Sequence, residues 1–142
     1  MTAKVVSLTR YPKKGEPGES LSELTLLKAA GIEGDRSRGG ERQVSLLCAQ
    51  TRRWMEETPE KGLCFGRYKE NILIDGLAFE QLKNGSLITV GSAALRITES
   101  GKKCFSQCGL FAKGAACRLA YSAVFAAVEE GGVIKIGDEV RV

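Results

Sequence analysis

The chain has 142 residues, 43% hydrophobic and 27% charged, a size that suits one domain spanning 1–142 and able to bury about 70% of the surface its unfolded form exposes. Apolar residues run through its whole length, which excludes a disordered chain or a separate polar tail. Its 21 Lys and Arg against 17 Asp and Glu favour an anionic ligand, but with aromatics at only 6% and the basic residues dispersed, no nucleic-acid partner is expected.

The first element is "AKVVSLT" (Ala3 to Thr9), which reads as a strand and is followed by a proline- and glycine-rich loop, "RYPKKGEPGES". The opening "MTAKVVSLTRYPKKG" lacks the pattern of a signal peptide, and no apolar run reaches the ~20 residues that span a bilayer. No membrane partner and a cytoplasmic location are therefore expected. "LSELTLLKA" (Leu21 to Ala29) and "RQVSLL" (Arg42 to Leu47) read as further strands. The best helix is Cys48 to Glu57, ended by Pro59 and Gly62. "AFEQLKNG" offers one helical turn, and "CGLFAKGAACRLAY" short turns broken at Gly114. "NILIDG", "GSLITV", "AALRITE", "AVFAAV", "VIKIG" and "DEVRV" complete a string of short strands. Val90-Gly91-Ser92 and Ile136-Gly137-Asp138 read as the corners of two similar hairpins. The spacing predicts a mainly β fold, a barrel of short, mostly antiparallel strands with a few short helices.

The chain contains no histidine, which excludes Cys2His2 zinc sites, Ser-His-Asp triads and Cys-His dyads. Of its five cysteines, an odd number that fits free thiols better than bridges, Cys48 and Cys64 sit in apolar surroundings and read as buried small hydrophobes. Cys104, Cys108 and Cys117 share a basic segment, but their spacing does not match the paired ligands of common structural zinc sites. Cys104 stands beside Lys102 and Lys103, and nearby cations favour the nucleophilic, soft-metal-binding thiolate.

Two further stretches carry chemistry. "GIEGDRSRGGERQVSLL" has four glycines that permit close backbone approach, with Arg36, Arg38 and Arg42 suited to phosphate oxygens; a surface turn decorated with arginines has the same composition. In "GRYKENILIDG", Arg67, Glu70 and Asn71 set a cation, a carboxylate and an amide ahead of an apolar strand, where a loop can present polar groups to a ligand or simply lead into the strand with a salt bridge.

Taken in order, "KVVSLTRYPKKGEPG", "GIEGDRSRGGERQVSLL", "RYKENILIDGLAFEQLKNGSLITVGSAALRITESGKKC" and "VFAAVEEGGVIKIGDEVRV" resemble the MOSC family, found at the C-terminus of molybdenum cofactor sulfurases and as small stand-alone bacterial proteins. The resemblance implies a β-barrel-like fold and association with the molybdenum-pterin cofactor, or with sulfur destined for metal centres. It assigns sulfur carriage or molybdenum ligation to Cys104, and carries the family's Gly-Asp, Arg-Gln-Val and Glu-Asn elements onto Gly34, Asp35, Arg42, Gln43, Glu70 and Asn71. Asp35, Arg36, Arg38, Arg42, Gln43, Glu70, Asn71 and Lys103 make the expected cofactor-binding set. Many members carry a histidine where this chain has Ser37, so any role of that imidazole is absent here. The fused sulfurases also carry a pyridoxal-phosphate desulfurase domain. None is expected on this chain alone, so the resemblance implies a cysteine desulfurase or a molybdenum-cofactor biosynthesis protein as the sulfur donor.

The leading expectation is thus a cofactor-handling sulfur carrier or sulfurtransferase in which Cys104 holds a persulfide or ligates molybdenum. The alternatives are a molybdenum-dependent reductase of small N-oxygenated compounds and a non-enzymatic, cysteine-based metal-binding domain.

Overall fold

The computed structural model describes residues 3–13, 18–35, 43–57, 70–77, 82–100 and 124–142. Its elements are β1 (Ala3–Arg10), β2 (Glu19–Leu21), β3 (Glu23–Leu27), β4 (Gly31–Ile32), β5 (Val44–Cys48), α1 (Ala49–Glu57), β6 (Ile72–Asp75), β7 (Leu87–Val90), β8 (Ala93–Ser100), β9 (Val124–Glu130), β10 (Gly132–Lys135) and β11 (Glu139–Arg141). Strands dominate because β-branched and leucine-rich runs alternate with polar residues and are cut short by glycine turns. The helix forms where that alternation gives way to "AQTRRWMEE", a run of good helix formers.

Among the described residues, seven strands close a barrel in the order β1-β6-β5-β9-β8-β7-β11, with β11 pairing back onto β1. Six of the neighbouring pairs are antiparallel, and β5 with β6 is parallel, Leu46 opposite Ile72. Strand β2 extends the sheet beyond β1, while β10-β3-β4 form a separate small sheet. That sheet is tied to the barrel where Ala29 N–H donates to Val128 O at 3.0 Å.

The barrel interior is aliphatic, with Leu8, Leu46, Ile72, Ile74, Ile88, Leu95 and Ile97 all less than 2% exposed. Burying each such side chain contributes about 1.5–3 kcal/mol before entropy is counted. Strand β6 shows the expected alternation, with Ile72 and Ile74 inward. In β1 the alternation changes phase at an irregularity between Val5 and Ser7, so Ala3 and Val5 point inward below it and Leu8 above it. Strands β5 and β9 show no alternation over "VSLLC" and "VFAAV", because both faces are covered, β5 by α1 and β9 by β3.

The Val90-Gly91-Ser92 corner is a hairpin, with Val90 opposite Ala93 and Gly91 at φ +57°. The corner at Ile136-Gly137-Asp138 is tight but is not a hairpin, which corrects the sequence reading. Strand β10 pairs with β3, and β11 pairs with β7 and β1. The turn itself is claimed by β1: Val5 N–H donates to Asp138 O at 3.0 Å and Gly137 N–H to Val5 O at 2.8 Å. The chain is thereby passed from the small sheet to the barrel, and the two similar sequences have different partners.

Gly31, at the start of β4, has φ +112°, and a Cβ there would lie 3.0 Å from the Gln43 carbonyl oxygen. Gly31→Ala is expected to cost about 1–3 kcal/mol through the disfavoured φ and that contact. The check is a lowered urea midpoint at unchanged slope; an unchanged midpoint would show that the turn relaxes freely.

Candidate functional site

Strand β6 begins one residue after Asn71, so its two neighbours, β1 and β5, continue past its start with unpaired backbone groups. The Asn71 side chain fills that gap as an added peptide unit would. Its Nδ2 donates to Thr9 O of β1 at 3.0 Å, and its Oδ1 accepts Ser45 N–H of β5 at 2.9 Å. Its backbone makes the flanking bonds: Asn71 N–H donates to Ser45 O at 2.8 Å, and Thr9 N–H donates to Asn71 O at 2.8 Å. The residue is 3% exposed, so these bonds form away from water, where leaving one unmade is expensive.

The second Nδ2 hydrogen goes to Asp35. Asp35 Oδ1 accepts both Asn71 Nδ2 at 3.1 Å and Tyr11 N–H at 2.8 Å, and Asp35 is 5% exposed. Its position follows from the turn before it, where Gly34 lies at φ +83° and Asp35 N–H donates to Ile32 O at 3.1 Å. Tyr11 OH donates to the Glu70 carbonyl at 3.2 Å, and the Glu70 carboxylate is gripped by Arg52 of α1, Nε to Oε1 at 3.1 Å and Nη2 to Oε2. Asp35, Glu70 and Asn71 thus form one network that also recruits Tyr11 and Arg52.

Gln43 belongs to a different junction. Its Oε1 accepts Val128 N–H of β9 at 3.1 Å, and its Nε2 donates to Ala29 O at 3.3 Å, stitching the small sheet to the barrel. Arg36, Arg38, Arg42, Lys103, Cys104, Cys108, Cys117 and Cys64 lie outside the described residues. Cys48 is described and buried, as its apolar setting predicts.

Described residues flank each of the segments that carry the other candidate residues, and the network itself holds two of those ends, Asp35 and Glu70. Asp35 and Gln43 flank 36–42, and Glu70 follows 58–69. Ser100 and Val124, which flank 101–123, are paired with each other, and that row continues through Leu46 to Ile72. Val124 and Ile72 are therefore two strand spacings apart, about 10 Å. Chemically, the anchored amides and the forked carboxylate are suited to holding loops in place; both amide hydrogens of Asn71 are already used.

Sequence reasoning missed Tyr11 and Arg52. Tyr11 reads as loop and Arg52 as a helix former, and the bond from Tyr11 to Glu70 joins residues 59 apart in the chain. Burial raises the Tyr11 phenol above its ordinary range, the Glu70 carboxylate adds to this, and Arg52 opposes it. Below pH ~10 the phenol is neutral in both folded and unfolded chains and its contribution is full. As the pH rises through ~10 toward the raised folded value, the unfolded chain ionises first and stability falls. Tyr11→Phe is expected to cost about 1 kcal/mol at neutral pH, a difference that shrinks above pH ~10. Urea midpoints of both proteins from neutral to alkaline pH check this, and a difference that stays constant counts against it.

The profile of the MOSC domain matches residues 33–141. No curated protein matches the chain. Among solved structures, the YuaD protein from Bacillus subtilis is similar with a TM-score of 0.69 at 21% identity, over 99% of this chain and 94% of that one. YiiM from Geobacillus stearothermophilus is similar with a TM-score of 0.65 at 16% identity, over 98% of this chain and 74% of that one. YiiM from Escherichia coli is similar with a TM-score of 0.58 at 18% identity, over 97% of this chain and 68% of that one. At these identities the likeness is one of fold.

Proposed function

The chain belongs to the MOSC domain family, a molybdenum-cofactor-related family, and from that membership we propose that it is a cofactor-handling sulfur carrier whose Cys104 holds sulfur for metal–sulfur centres or ligates molybdenum. The observation that carries the reading is the buried Asp35–Asn71 pair, which anchors the start of the arginine-bearing segment to the barrel strands beside it. Arg36, Arg38, Arg42 and Lys103 would hold the phosphate of the pterin, and Cys104 would supply a soft sulfur ligand.

The described residues fit such an anionic group: the buried Nε of Arg10, next to the Gly34 turn, is a cationic donor without a hydrogen-bond partner among them. When bound, the molybdenum-pterin supplies two-electron redox and oxo-transfer chemistry. The polypeptide's own part is to bind, orient and carry. In sulfur carriage, the Cys104 thiolate attacks the outer sulfur of a donor persulfide, a new S–S bond forms, the old one breaks, and the donor leaves as its thiolate with no net oxidation. A cysteine desulfurase or a molybdenum-cofactor biosynthesis protein would serve as donor.

The test is to incubate the protein with a cysteine desulfurase and cysteine, then measure intact mass and map the modified residue. Gain of one sulfur atom on Cys104 is expected; no gain, together with no molybdopterin bound to protein from a cofactor-competent host, rules the reading out.

A further inference from the structure

Arg10 ends β1 directly across the ladder from Glu19 of β2. Its Nη2 donates to the Glu19 carboxylate at 2.9 Å, while its Nε is buried and has no hydrogen-bond partner among the described residues. A guanidinium presents Nε–H and one Nη–H side by side as a fork for an acceptor with two oxygens. Arg52 shows the fork completed, with both prongs on Glu70. Glu19, 48% exposed, takes only one prong of Arg10.

Gly34 presses on the same side chain. A Cβ at Gly34 would lie 3.0 Å from both Cδ and Nη1 of Arg10, so the turn at Gly34, with φ +83°, packs closely against the guanidinium. A buried donor on a charged group is seldom left without an acceptor, and a prong with none among the described residues is a place suited to a water or an oxyanion. The net charge of +4 on the chain favours the oxyanion.

We propose that Arg10 is a ligand-contacting residue that donates its Nε–H to an oxygen of a phosphate group, a role that rests on the anionic-cofactor reading above. Glu19 then acts as a partial competitor, holding the guanidinium in place by one prong while its charge opposes the incoming anion.

The experiment follows the arginine Nε–H resonances of the full chain in proton–nitrogen correlation spectra during titration with inorganic phosphate, with sodium chloride at matched ionic strength as control. The Arg10 resonance is assigned through its own side-chain carbons and checked by its disappearance in Arg10→Lys. It is expected to shift saturably with phosphate and not with chloride. Glu19→Gln is expected to tighten the response about two- to fivefold, the size of an exposed ion pair's contribution. A resonance that ignores phosphate, or follows chloride equally, means that the acceptor at Nε is not a phosphate oxygen and overturns the assignment. Cys104→Ser should titrate like the wild type. Loss of the phosphate response with persulfide formation intact therefore rejects Arg10 alone, and the converse result rejects the sulfur reading alone.

Discussion

Asn71→Ala is expected to lower the unfolding free energy by about 3–4 kcal/mol, among the larger effects of a single substitution. The reason is what it leaves behind. Ser45 N–H, Thr9 O and one bond to Asp35 lose their partner at a residue only 3% exposed, and no backbone can move in to replace the amide. Asn71→Asp keeps the size but removes both donors and faces Asp35 with a second carboxylate, so it should be at least as damaging. Combining it with Asp35→Asn restores a donor between the two positions, and the pair should show a favourable coupling of about 1–3 kcal/mol. Guanidinium unfolding of the wild type, Asn71→Ala, Asn71→Asp, Asp35→Asn and the Asn71→Asp/Asp35→Asn pair measures this. A loss below about 0.5 kcal/mol for Asn71→Ala, the scale of a surface substitution, would mean that the bonds across the β6 start contribute nothing net.

Cys104→Ser is expected to bring persulfide formation down to background, because a serine hydroxyl is neither ionised near neutrality nor able to hold sulfane sulfur. Cys108→Ser and Cys117→Ser should retain the wild-type level. Cys48 provides an internal control from the structure: buried at the end of β5, it should neither accept sulfur nor react with a polar thiol reagent until the chain unfolds. Intact-mass analysis after desulfurase treatment distinguishes the four. Sulfur that persists on Cys108 or Cys117 when Cys104 is replaced would move the carrier role away from Cys104.

The sequence made the barrel legible wherever one face of a strand is wet. Strands β6 and β7 announce themselves by alternation, and α1 by a run of helix formers closed by Pro59 and Gly62. Strands β5 and β9 could be placed only approximately, since burial on both faces removes the period. The corner at Gly137 shows a different limit. A tight turn is local and visible in sequence, whereas the partner of the strand that follows is set by hydrogen bonds to Val5, more than 130 residues away in the chain. The candidate site divides in the same way. Asp35, Glu70 and Asn71 stand out as polar residues in an ordered family pattern, but nothing local says that Asn71 bonds a carbonyl 62 residues earlier or that Arg52 closes on Glu70.

Directions around a closed ring must return to where they started, so reversals between neighbours come in even number. A ring of seven strands cannot alternate throughout, and at least one pair must run the same way; here that pair is β5 and β6. Neighbours that run the same way cannot be joined by a short hairpin, because the chain has to travel back along the barrel before it can begin again. The long excursion from Cys48 to Ile72, with α1 inside it, is thus demanded by parity, and it ends on Glu70 and Asn71. Deleting one barrel strand would remove the need for that excursion, whereas deleting a two-strand hairpin would leave it in force. The polar network therefore sits at the seam that an odd ring is obliged to contain.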